Sequence, residues 1–188
     1  CFRAGARPFV SLSGGLRDPD EWDDVVILHE LGHVIAAAHS RDDSPGGPHG
    51  GERNEPRLAW SEGWAIFHAS WQRGDPVQLD FKADGVRARD YEAMDAEASF
   101  GVDERGWVSE WLVAALLWDL HDGGPEDDDE ISLPDAALFE AFVGLADSAV
   151  ERVDLAAYLD LLACLTEVDL EPLLRARGYP HIPTCPPF

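Results

Sequence analysis

Two histidines and a glutamate, His29, Glu30 and His33, interrupt an apolar run over residues 25–38. On a helix, His29 and His33 lie four residues and about 400° apart, so both rings leave one face about a turn from each other. That spacing lets two imidazole nitrogens meet one metal ion. Glu30 projects about 100° further round. There its carboxylate cannot readily join the same bonds, but it can reach a water beside the metal as a general base. Such a short pattern also arises by accident in unrelated proteins. Here the surroundings favour a site, because polar groups within an apolar segment cost several kcal/mol unless something satisfies them.

The element that must carry these residues is a helix over about residues 21–39, capped by Asp18 or Asp20, with Glu21, Asp23 and Asp24 placed against its positive end. Before it, residues 8–15 read as a short strand closed by glycines. After it, residues 40–57 are dense in Gly, Pro and charge and must be irregular, serving either as a lid or substrate edge or as a solvated connector. A second helix spans about residues 56–73, where Trp60, Trp64, Phe67 and Trp71 form a core stripe at helical spacing. Glu62 lies about 200° from Trp60, on a side that is also largely apolar. A carboxylate carried into the interior wants a cation, so Glu62 is the best candidate for a third metal ligand. Small neighbours at Gly63 and Ala69 let another helix approach closely.

Residues 77–81 read as a strand and residues 91–100 as a helix or loop. A third apolar helix, over residues 106–121, carries Glu110 and His121 on nearly the same face. Glu110 either hydrogen-bonds the site or ties down a neighbouring loop. The acidic stretch 126–130 offers calcium ligands but lacks an EF-hand pattern, so a solvated turn is expected. Ser132 opens a capping box for a helix to about residue 147. Helices from Asp154 to about residue 167 and from Asp169 to the glycine stop at Gly178 follow. The fold class is therefore mainly α (α+β): one compact domain over residues 1–188, with a small N-terminal β element, metal-site helices within about 21–122 and a helical part over about 132–178.

Composition narrows the partners. Thirty-seven acidic residues against 14 basic ones give a formal charge of −23. That excludes nucleic acid and anionic membranes and favours cationic over acidic peptides. No apolar run approaches the ~20 residues of a bilayer helix, so no membrane insertion is expected. Cys1, Cys164 and Cys185 have no CxxC spacing. A Cys164–Cys185 disulfide pinning the Pro-rich tail is the favoured pairing, and with it an exported protein. A chain beginning at Cys1 reads as a processed or excised fragment. Oligomeric state is not readable.

His29-Glu30-x-x-His33 followed by Trp60-Ser61-Glu62-Gly63-Trp64-Ala65 resembles the gluzincin clan of zinc metallopeptidases. In that clan two histidines come from one helix and a glutamate ligand from a second. The resemblance implies a zincin-like fold, one Zn²⁺ held by His29, His33 and Glu62, Glu30 as catalytic base, and a peptide or protein substrate. Val108-Ser109-Glu110-Trp111 with Leu117-Trp118-Asp119-Leu120 is similar to a helix of fungalysin-like peptidases. Together these segments cover about residues 22–122.

The chain departs from the clan in three places. Ile66 stands where thermolysin-like members have an aspartate that orients a histidine ligand, so another carboxylate or a carbonyl must take that part. The transition-state histidine expected before the third helix is missing, leaving Arg105, Tyr91, His49 or His121 to stabilise the oxyanion. The exopeptidase signature is absent as well. A rival ligand set comes from His39, ten residues after His29 as in metzincins. Ala36, however, occupies the position of their turning glycine, and a helix continued to His39 points it about 80° away from His29. The other rival is a non-catalytic zincin-like domain that uses the metal for stability or binds a partner.

Overall fold

A computed structural model describes residues 9–12, 14, 15, 17, 19–50, 53–93, 102–123 and 131–185. Its architecture is mainly helical, with six α-helices and one antiparallel hairpin among these residues. The helices are α1 (Asp24–His39), α2 (Pro56–Arg73), α3 (Glu110–Asp122), α4 (Asp135–Gly144), α5 (Leu155–Thr166) and α6 (Glu171–Ala176). Strands β1 (Val77–Lys82) and β2 (Gly85–Asp90) lie between α2 and α3. No described helix is long and apolar enough to cross a membrane.

Helix α2 is the axis of the fold. It is buried from Leu58 to Ser70 without a break, as expected of a helix that is apolar on every side. Pro56 opens it, the Glu55 carboxylate accepts from the nitrogens of Arg57 and Leu58, and Gly74 closes it with a positive φ of 62°. Helices α1 and α3 pack on two sides of it. The expected aromatic stripe meets the C-terminal helices: Trp60 packs on Tyr158 at 4.8 Å between ring centres, and Trp64 stacks on Phe142 at 3.6 Å.

Close approach depends on two glycines in these helices. A Cβ added to Gly32 would lie 2.9 Å from the Ala65 backbone, so α1 and α2 touch there. One added to Gly63 would lie 2.4 Å from the Val113 side chain and 2.7 Å from the Glu110 carbonyl oxygen, which brings α3 equally near. The expected role of Gly63 holds. The buried His68 adds a tie between helices, its Nδ1–H donating to the Leu28 carbonyl at 3.0 Å.

Several boundaries differ from expectation, each for a local reason. Residues 20–22 form a 3-10 turn and α1 starts later, capped by Asp23 rather than Asp18 or Asp20. Its carboxylate accepts from both Val25 and Phe81 nitrogens, so the same group starts α1 and pins β1. Residues 9–12 form no strand, and Phe9 is 70% exposed. The small β element is instead the hairpin after α2, paired from Val77–Asp90 to Lys82–Gly85. Helix α3 begins at Glu110, because Val108 is held extended by a backbone pairing with Asn54.

The capping box at Ser132 does not form: the Leu133 nitrogen donates to the Leu120 carbonyl, and α4 starts after Pro134 without a side-chain cap. Asp154 caps α5 as expected, accepting from Ala157 nitrogen. The Cys164–Cys185 disulfide is present, with Cα atoms 5.4 Å apart. The acidic stretch 126–130 and most of 91–100 lie outside the described residues.

Gly63→Ala should separate α2 from α3 and cost about 1–3 kcal/mol as an overpacked core position. Thermal unfolding of the variant checks this; an unchanged melting temperature contradicts the packing described.

Candidate metal centre

Close packing of α1 on α2 brings three donor atoms together. Nε2 of His29 and Nε2 of His33 are 3.2 Å apart. Glu62 Oε2 is 3.3 Å from the first and 3.2 Å from the second. A tetrahedral ion with bonds of about 2.0–2.2 Å requires neighbouring donors about 3.3–3.6 Å apart. The triangle is close to that size and could hold one metal ion. Among the described residues, this is the one cluster of His, Cys, Asp or Glu side chains that meets the geometry of a metal site.

The electrostatics agree between the partners. Burial works to raise the Glu62 pKa, but the hydrogen bonds and charges of the two histidines outweigh it and hold the carboxyl well below the usual carboxylate range. Burial likewise works to lower the pKa of His33, and Glu62, Glu30 and Asp42 outweigh it and raise it. Both shifts reflect a pocket that favours positive charge at its centre.

A relay reaches His33 from behind. The Ser61 hydroxyl donates to Asp42 Oδ2 at 3.0 Å, and its oxygen lies 3.5 Å from His33 Nδ1. With the Ser61 proton committed to Asp42, the oxygen faces His33 as an acceptor. A proton held on Nδ1 by that oxygen would free Nε2 for a bound metal ion. Asp42 and Ser61 thus place a carboxylate and a hydroxyl behind His33. His29 has no equivalent support among the described residues, where its buried Nδ1 finds no hydrogen-bond partner.

Glu30 is half-buried one residue beyond His29 and makes no hydrogen bond or ion pair among the described residues. Its charge acts on both His33 and His49. His49 comes from the loop after α1, with Nδ1 3.7 Å from Glu62 Oε2 and 3.6 Å from Glu110 Oε2. Glu110, 3% exposed at the start of α3, also accepts from Asn54 Nδ2 at 3.0 Å and from the Gly50 nitrogen at 3.3 Å. Of the two readings of Glu110, its hydrogen bonds are those that tie down the neighbouring loop; none to His29, His33 or Glu62 is seen among the described residues. The pKa of His49 is raised, chiefly by its interaction with Glu110, against an opposing effect of burial.

The remaining candidates lie elsewhere. Tyr91 is buried at the end of the hairpin, its hydroxyl donating to Gln78, and burial pushes its pKa far up. Arg105 is spent on Asp103 at 2.8 Å and on the face of Trp107. His121 sits among Phe67, Trp71 and Trp118 with Nδ1 2.9 Å from Asp135. It shares a face with Glu110, but eleven residues of helix separate them by about 16 Å along the axis. His39 is exposed on the last turn of α1 and takes no part in the cluster, so the metzincin-like ligand set is overturned. The physical reason is the unbroken helix through Ala36.

Sequence reasoning missed Asp42, Ser61, Asn54 and His68. Only Ser61, beside Glu62 on a buried face, carried a readable signal. No protein-family model matches the chain, and no curated protein or solved structure is detectably similar to it.

Removing the support of a metal-binding histidine costs about 10–100-fold in metal affinity. Ser61→Ala should therefore weaken binding by that order in a competitive chelator titration, and an unchanged constant would sever Ser61 from the site.

Proposed function

We propose that the chain is a zinc-dependent peptide hydrolase. The observation that carries this reading is the His29–His33–Glu62 triangle, with edges of 3.2 to 3.3 Å. These three residues would hold one Zn²⁺. Two imidazoles and one carboxylate suit a borderline ion, whereas calcium takes six to eight oxygens. Three protein ligands with a fourth position open is the pattern of catalytic rather than structural zinc. When bound, zinc polarises a carbonyl and lowers the pKa of a coordinated water to about 7.

The chain's own residues handle the protons. Glu30 takes one from the attacking water as its oxygen bonds to the scissile carbonyl carbon, and delivers it to the leaving amine as the carbon–nitrogen bond breaks. A carboxylate with no other partner among the described residues is suited to that exchange. Asp42 and Ser61 keep the His33 ring in register meanwhile. A metal kept only for stability gives Glu30 nothing to do, which is why we prefer hydrolysis to a non-catalytic domain. The strongly acidic chain favours cationic peptides or protein segments as substrates. The Cys164–Cys185 disulfide supports an oxidising, exported location.

Incubating the purified protein with a peptide library, with and without chelator, tests the reading. Cleavage should require zinc. Glu30→Gln should retain one zinc per chain and lose cleavage, while Glu62→Ala should lose the zinc itself. Full activity in Glu30→Gln, or zinc-independent cleavage, would remove the mechanism.

A further inference from the structure

We propose that the Arg89 guanidinium, laid across the Trp111 ring, is a binding site for a carboxylate on the peptide, and that this carboxylate is the peptide's own C-terminus. On the hydrolase reading above, on which this assignment rests, the substrate is then a peptide cut near its free C-terminal end.

Acidic residues outnumber basic ones 37 to 14, so arginines here meet carboxylates readily. Arg41, Arg73, Arg105 and Arg177 each lie 2.6 to 3.2 Å from one. Arg89, half-buried on β2, makes no hydrogen bond or ion pair among the described residues. Its guanidinium carbon lies over Trp111, 3.0 Å from the ring centre. The acids nearest it in sequence are engaged: Asp90 accepts from the Glu92 and Ala93 nitrogens, and Glu92 accepts from the Trp118 indole. Gln78, opposite Arg89 in the hairpin, accepts from the Tyr91 hydroxyl. Glu110, whose charge reaches Arg89, spends its hydrogen bonds on Gly50 and Asn54. Burial pulls the pKa of Arg89 down, and Tyr91 and Glu110 offset that only in part. A half-buried cation without a counter-ion carries a cost that an anionic ligand relieves.

The stacked geometry suits a carboxylate. Contact with the indole uses the face of the guanidinium, whereas its N–H groups point outward in the plane as a fork that grips two carboxylate oxygens at once. Trp111 follows Glu110 in the first turn of α3, and Glu110 Oε2 lies 3.6 Å from His49, itself 3.7 Å from Glu62 Oε2. Arg89 therefore stands at the end of α3 that borders the metal centre, where it meets a group tethered to the scissile bond. A chain of −23 formal charge repels peptides rich in acid. The C-terminal carboxylate is the anion that even a cationic peptide retains.

The test uses the whole chain, loaded with zinc and carrying Glu30→Gln so that ligands survive. It is titrated by calorimetry with a short N-acetylated alanine–lysine peptide in three forms: the free C-terminal acid, the C-terminal amide, and an amide ending in glutamate. The free acid should bind about 10–100-fold more tightly than the plain amide, as expected of hydrogen bonds between charged groups. Arg89→Gln should bring the free acid down to the affinity of the amide with an unchanged thermal midpoint. Arg89→Lys, which keeps the charge and loses the fork, should retain only part of the difference. With Glu30 intact, the same factor should separate kcat/KM for acid and amide, and the cut should keep its distance from the C-terminus as the peptide is lengthened at its N-terminus.

A free-acid preference that survives Arg89→Gln, or no preference for either carboxylate form, overturns the assignment and leaves the hydrolase reading intact. An Arg89-dependent preference for the glutamate form alone upholds the carboxylate site and overturns the C-terminus as its ligand. An Arg89-dependent free-acid preference in a chain that cleaves nothing in the peptide library upholds the site and overturns the hydrolase reading.

Discussion

A carboxylate buried in the middle of a helix that is itself buried is the constraint from which the rest of the structure follows. Glu62 is 9% exposed, within a stretch of α2 that is closed to solvent from Leu58 to Ser70. Left alone, such a charge would cost more than any single packing contact returns. Its compensation comes from His29 and His33, which reach it only because Gly32 lets α1 lie against the backbone of α2. The motif glycine between the histidines is thus a packing device. It sets the separation of the two helices, and that separation sets the 3.2 to 3.3 Å triangle.

A second buried carboxylate repeats the logic one layer further out. Glu110 lies on α3, which approaches α2 closely at Gly63. It is satisfied by the loop that leaves α1, through Gly50, Asn54 and His49. Each glutamate therefore joins separate elements while standing against a histidine: Glu62 against His29 and His33, Glu110 against His49. Asp42 and Asp23 also join elements, one through Ser61 and the other by tying the first turn of α1 to β1. In a chain of −23 formal charge, many carboxylates merely face water. Those that matter here are the few with low exposure and convergent donors.

The three helices of the site were legible in the sequence because each combines 3.6-residue periodicity with an apolar surround. Glu62 was legible for the same reason, as a charge in the wrong company. The loop residues were not: a Gly/Pro-rich segment has no period, so nothing local tells that His49 returns to Glu62 or that Asn54 pairs with Val108. His121 misled because a shared helix face fixes an angle and not a depth. Strand β2 was hidden by its alternation of arginines with small residues, which gives no buried face to read. The Ser132 cap failed because a backbone bond from Leu133 to Leu120 took precedence over a local side-chain one. In each case tertiary contacts overrode a local preference.

The most direct test of the account is X-ray absorption at the zinc edge on the zinc-loaded protein. The expected result is one zinc per chain, bound by two imidazoles and light-atom oxygen donors at about 2.0–2.2 Å, with total coordination near four. A sulfur shell, three imidazoles, or a hydrated ion without imidazole scattering would contradict it.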